Sequence, residues 1–195
     1  MGKIIYLMGK SSTGKDTIYR ELLRENTFAL KKIIPYTTRP VRLKEQNGRE
    51  YFFTDEQGYE KLMQSGKVIE QRTYHTYHGI WRYFTVDDGQ VDLQNESYIC
   101  IGTLESYVST RAYYGENAMI PVLIELDDGE RLQRALNRER KQEHPKYEEM
   151  CRRFLADSED FSEEKIDGAG IAKRFYNENL EQCLKEIRDY ISIML

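Results

Sequence analysis

An apolar run at residues 3–8 stops at Gly9, and the next eight residues read Lys10-Ser11-Ser12-Thr13-Gly14-Lys15-Asp16-Thr17. Ile18, Leu22 and Leu23 then recur at helical spacing over residues 17–24. A buried strand, a glycine-bounded loop and a helix in that order leave few folds open. The glycines let the backbone curl until successive N–H groups face one anion, and the helix N-terminus adds partial positive charge. Lys15 supplies a full charge to the outer phosphates of a nucleotide. The residue after Lys15 is Asp16, where a metal-facing hydroxyl is usual. Asp16 is read as a favourable first-turn charge and Thr17 as the candidate metal-facing hydroxyl.

The remaining pattern alternates strand and helix. Strands are predicted at residues 28–35, 51–53, 98–102, 119–126 and 174–176, with a hairpin of 67–73 and 81–86. Helices are predicted at 54–65, 104–114, 127–140, 147–160 and 180–194. Thr54 with Gln57, and Asp127 with Glu130, read as helix starts. Such alternation implies a parallel sheet with helices on both faces. Residues 37–90 break the alternation and read as a small β-rich insert. The chain has 195 residues, 39% of them hydrophobic, which suits one domain with such an insert.

Residues 1–54 carry eleven Lys/Arg against five Asp/Glu, and residues 55–195 carry eighteen against twenty-eight. A basic first quarter in an acidic chain points to a local anion site, not a nucleic-acid surface. No apolar window is long enough to span a membrane, and no signal-peptide pattern opens the chain. A cytoplasmic location is expected. Cys100, Cys151 and Cys183 form no C-x-x-C pair, so neither a zinc site nor a disulfide framework is indicated.

A second basic segment, Thr37-Thr38-Arg39-Pro40-Val41-Arg42, precedes Asn47-Gly48-Arg49-Glu50-Tyr51. Two arginines three apart on a proline-stiffened loop can grip one phosphate, with a tyrosine hydroxyl as a further donor. Read with Gly9–Thr17, the pattern T-T-R-P-x-R then N-G-x-x-Y resembles the guanylate kinases, small P-loop kinases of nucleoside monophosphates. Gly66-Lys67-Val68-Ile69-Glu70 is similar to that family's G-x-F-[IL]-E segment. Arg134 and Arg138 around Leu136, Arg153, and Asn177 in Tyr176-Asn177-Glu178-Asn179-Leu180-Glu181 extend the resemblance over residues 4–194.

The resemblance implies an α/β P-loop fold with a core of residues 1–36, 91–130 and 161–195, a GMP-binding insert of about 37–90, and a helical lid of about 131–160. It implies transfer of phosphate from ATP to GMP, with Mg²⁺ held by phosphates and water. Gly9, Lys10, Ser11, Ser12, Thr13, Gly14, Lys15, Asp16, Thr17 and Asn177 would bind ATP. Asn177 also has the simpler reading of a helix N-cap. Arg39, Arg42, Tyr51, Glu70, His78 and Thr103 would bind GMP, with Glu70 accepting from guanine N1–H and the 2-amino group. Lys15, Arg39, Arg134, Arg138 and Arg153 would serve catalysis. ATP and GMP would be the partners, with no nucleic acid or membrane.

The chain departs from the family pattern at His78-Gly79-Ile80, where a hydroxyl residue follows the glycine in relatives. It departs again at Ile101-Gly102-Thr103, where an acid is usual, and at Pro35-Tyr36, where a serine is usual. Two other readings therefore stay open. One is a kinase of a different phosphorylated acceptor, such as a ribose bisphosphate. The other is a non-catalytic, protein-binding module of guanylate kinase type.

Overall fold

The computed structural model describes residues 1–76 and 79–195, with Thr76 described by its backbone alone. Two sheets organise the chain. The first is wholly parallel, with order β2-β7-β1-β8-β9: β2 is Lys31–Lys32, β7 Tyr98–Ile101, β1 Ile4–Met8, β8 Met119–Glu125 and β9 Arg174–Tyr176. All five residues of β1 are buried. A strand covered on both faces has to be apolar throughout, and Ile-Ile-Tyr-Leu-Met is.

Alternation along β1 divides the core in two. Ile4, Tyr6 and Met8 face Leu104 and Tyr107 of α3 (Leu104–Tyr114), with Phe161 and Ile166. Ile5 and Leu7 face Ile18 and Leu22 of α1 (Lys15–Glu25) and Ile187 and Ile191 of α7 (Leu180–Met194). Helices thus cover both faces, as the alternation implies.

The second sheet has order β4-β3-β6-β5: β3 is Tyr36–Thr37, β4 Phe52–Phe53, β5 Val68–Thr76 and β6 Gly79–Val86. Its backing helix, α2 (Glu56–Gln64), contributes Tyr59 to a small core with Phe84 and Val86. Two charged helices, α4 (Asp128–Glu139) and α5 (Tyr147–Asp160), cross near the end of β8, and α5 has no fully buried residue.

Four local expectations need correction. The strand expected over 28–35 is only the two residues of β2, and β3 starts beyond it at Tyr36. Ala29 adopts φ 49°, and the chain leaves the first sheet for the second around Pro35, which has no N–H to give a ladder. Helix α2 is capped by Asp55, which accepts from Gly58 N–H at 2.7 Å, not by Thr54. Helix α7 is capped by Asn179, accepting from Gln182 N–H at 3.0 Å, which frees Asn177 from that role. A six-residue helix, α6 (Glu163–Gly168), has no counterpart in the expected elements, because only Ile166 on it is buried and gives no periodic signal.

Phe175 is fully buried on edge strand β9, 5.4 Å from the ring of Tyr190 on α7. Phe175→Ala should destabilise the protein by about 3–5 kcal/mol. Ile193→Ala, at a position 82% exposed, should stay within about 0.5 kcal/mol. Urea titration of both variants checks the difference.

Candidate functional site

The loop between β1 and α1 can only be glycine at its two ends. A Cβ on Gly9 would run into the Ile124 carbonyl, and one on Gly14, at φ 93°, into Asn177 Nδ2. Asn177 Nδ2 donates to Thr13 O at 2.7 Å, and Asn177 N–H donates to Glu125 O at 2.9 Å. Asn177, itself buried, therefore straps the loop to the ends of β8 and β9. Arg134 Nη2 donates to Asn177 O at 3.2 Å and lies on the same side.

Lys15 tucks under the loop, with Nζ 3.3 Å from Lys10 O. Burial pushes its pKa down, against the opposing pull of Asp16 and Asp157. Ser12 sits at φ 68°, and its buried Oγ has no hydrogen-bond partner among the described residues. An orphaned hydroxyl in a loop of curled N–H groups fits a phosphate ligand. Asp16 is exposed, while Thr17 is half-buried, with only a 3.5 Å contact from Arg20 on its hydroxyl.

Ser11 and Ser12 open onto a cavity of about 470 Å³, which Arg42, Arg138 and Arg153 also line. The loop, the segment between β3 and β4, and helices α4 and α5 thus meet at one concentration of positive charge. Arg153 Nη2 reaches Ser11 Oγ at 3.4 Å. Of the other two, Arg134 lies on Asn177 and Arg138 on the cavity.

The residue joining lid and loop is one that spacing did not single out. Arg131 is only 1% exposed. Its Nε donates to Ser11 O at 3.1 Å, its Nη2 to Asp157 Oδ2 at 3.1 Å, and its Nη1 to Asp128, while Phe154 stacks 4.8 Å away. Asp157 Oδ2 also accepts from Ser11 N–H at 2.7 Å. A lid carboxylate therefore lies on a loop amide that an anion would use.

On the insert, the side of β5 and β6 away from α2 carries the acceptor candidates. Glu70 is buried, and its Oε1 accepts from Thr85 Oγ1 at 2.7 Å. Its Oε2 lies 3.3 Å from Arg72 Nε, within ion-pair distance. Arg39 is buried and spoken for. Its Nη1 and Nη2 donate to Glu45 at 2.8 Å each, Nη1 also to Pro40 O, and Nε to Tyr83 Oη at 3.1 Å. The Glu45 carboxylate raises the Arg39 pKa, and Arg39 in turn lowers that of Glu45.

Tyr51 packs edge-on to Tyr83, with the Arg39 guanidinium 5.2 Å from its ring, and burial pushes its phenol up. Thr103 caps α3, its hydroxyl accepting from Ser106 N–H at 3.2 Å. His78 lies outside the described residues.

The family model described as guanylate kinase matches residues 1–88, the stretch that holds both basic segments. A curated guanylate kinase of Porphyromonas gingivalis is 26% identical over 98% of this chain and 97% of its own length. Over nearly its whole length the chain is thus similar to a guanylate kinase. The solved guanylate kinase of Anaplasma phagocytophilum superposes with a TM-score of 0.68, covering 98% of this chain and 85% of that one at 16% identity, so the fold is shared. A curated protein of another name, MAGUK p55 subfamily member 4 of Rattus norvegicus, is 28% identical over 53% of this chain and 22% of its own length.

Because Asp157 holds an amide that a phosphate of a guanylate kinase-type nucleotide would want, Asp157→Ala removes a like-charged competitor. ATP should bind at least about threefold tighter to the variant, since a charge-assisted hydrogen bond contributes roughly 1.5–3 kcal/mol. Calorimetric titration reads this directly, and weaker binding would make Asp157 a support of the site.

Proposed function

We propose that this chain transfers the γ-phosphoryl group of ATP to GMP, giving ADP and GDP. One observation carries the reading. The glycine-bounded loop opens, through Ser11 and Ser12, on the same cavity as Arg42, Arg138 and Arg153, with Lys15 tucked beneath the loop. Two phosphate groups meeting there find positive charge from three separate elements.

The loop N–H groups and Lys15 would hold the ATP phosphates. Arg42, with Tyr51 nearby on the insert, would hold the acceptor phosphate. An acceptor oxygen attacks the γ-phosphorus, the bond to the bridging oxygen breaks, and its electron pair leaves with ADP. No side-chain base is required, because the acceptor phosphate is already anionic. The transition state spreads charge over the moving group, so catalysis is positioning and charge stabilisation. Arg138 and Arg153 supply that charge and keep water from the γ-phosphorus.

Arg39 acts one step back, holding Glu45 and through it the loop that carries Arg42, whose N–H donates to Glu45 Oε2 at 2.9 Å. Thr17 would be the hydroxyl of this chain that faces a nucleotide-borne Mg²⁺, which would neutralise phosphate charge.

Among the described residues no helix is long and apolar enough to cross a membrane. We place the reaction in the cytoplasm, where both nucleotides are found. The match to MAGUK p55 subfamily member 4 keeps a binding module as the second reading. The intact loop glycines and Lys15 favour the enzyme.

Lys15→Ala should leave the fold intact and lower kcat by about 10²-fold or more, with a smaller effect on KM for GMP. A coupled assay of ADP release against GMP, IMP, AMP and a ribose bisphosphate checks both turnover and acceptor. Near-normal turnover in the variant would overturn the reading.

A further inference from the structure

Glu70, Arg72 and Tyr74 share the side of β5 that faces Thr85 and Tyr83 of β6. Glu70 Oε2 and Arg72 Nε are both buried, lie 3.3 Å apart, and have no hydrogen-bond partner among the described residues. They attract one another as charges but are not aligned as donor and acceptor. An orphaned buried group is costly, and folded proteins rarely keep two side by side without a ligand or water to satisfy them. What they present is one acceptor beside one donor. The ligand that completes them carries a donor beside an acceptor.

We propose that Arg72 is a specificity-determining residue of the acceptor site, its guanidinium and the Glu70 carboxylate together reading the lactam edge of a 6-oxopurine. This rests on the GMP kinase reading above. On that edge N1–H is a donor and O6 an acceptor, side by side. Glu70 Oε2 takes the N1–H, and Oε1, which has a lone pair left beside the Thr85 hydroxyl, takes the 2-amino group. Arg72 donates to O6. Arginine is well suited to such an oxygen, because its planar N–H groups are always charged and rigidly placed.

Adenine offers the reverse order, a lone pair at N1 and an amino group at position 6. In a frame fixed by the phosphate grip of Arg42, both adenine groups meet the wrong partner, and each mismatch leaves a buried charge unpaired. Two charged contacts then oppose adenine. Arg72 also answers the loss of a hydroxyl at Ile80, which has no polar atom to offer O6.

The surroundings support a fixed pair. Tyr6 and Cys100 lie close enough for Glu70 to add to the upward pKa shifts that burial gives them. Tyr6 Oη is held by Ser106 Oγ at 2.7 Å, so the floor under the pair is a tied hydrogen-bonded group. The Arg72 side chain keeps 18% exposure, against 3% for Glu70, so Arg72 is the less enclosed member of the pair.

The test compares kcat and KM for GMP, IMP and 2-aminopurine riboside monophosphate in the parent, Arg72→Ala and Arg72→Gln, with thermal melts of all three. IMP keeps N1–H and O6, whereas the 2-aminopurine nucleotide lacks both. Arg72→Ala should raise KM for GMP and IMP by about 10- to 100-fold with kcat changed little. The 2-aminopurine nucleotide should change by less than about threefold, having no 6-oxygen to lose. If Arg72→Ala melts early, Arg72→Gln carries the test through the ratio of GMP to 2-aminopurine use, which should fall. Unchanged or improved GMP use in the variants overturns the proposal and makes Arg72 a counter-ion or a plug. A parent that phosphorylates the ribose bisphosphate and no purine nucleotide overturns the GMP reading itself, and the Arg72 assignment with it.

Discussion

The turn from β1 into α1 is held by contacts that leave no room for a side chain at either end. Gly9 lies against the Ile124 carbonyl and Gly14 against Asn177, while Asn177 is bonded to both Thr13 O and Glu125 O. The loop is thus clamped between the ends of three parallel strands. Its open N–H groups, the buried Lys15 and the start of α1 all take their direction from that clamp. A ligand site built on backbone needs such rigidity, because a backbone donor cannot swing to find its partner.

Around this fixed loop the other parts are held by charge. Arg131 ties the lid to Ser11 and to Asp157, and Arg39 ties the insert loop to Glu45. Each is a buried guanidinium paired with a carboxylate, an arrangement that specifies geometry more than it adds stability. Both pairs lie beside residues proposed to touch phosphate. A phosphate arriving at the cavity meets arginines already pointed inward, and at Ser11 it competes with Asp157. The lid is lightly anchored, with no fully buried residue on α5. Elements of that kind open most easily.

The fold was legible in the sequence because its signals are local. The predicted bounds of α3, α5, β9 and α7 coincide with the observed ones, and Asp127 caps α4 as its spacing to Glu130 implies. The loop and the two basic segments were readable for the same reason. Part of what escaped was set by distance along the chain. Asp157 meets Ser11 from 146 residues away, and Arg131 bonds the same residue from 120 away. Arg131 sits in a helix crowded with arginines, and spacing drew the eye to Arg134 and Arg138 instead. Arg72 belongs to no motif, and alternation along β5 puts it on the same side as Glu70. Arg39 matched a motif, yet the structure gives it to Glu45, a residue with no signal of its own.

The central claim is that loop, insert and lid form one cleft for two nucleotides joined end to end at their phosphates. A compound linking adenosine and guanosine through five phosphates spans both sites at once, so calorimetric titration with it tests the claim most directly. One molecule should bind per chain, at least about 100-fold more tightly than ATP or GMP alone, as expected when two sites are joined by a span that fits. Binding no tighter than that of ATP alone would mean that the two basic segments do not serve a common cleft.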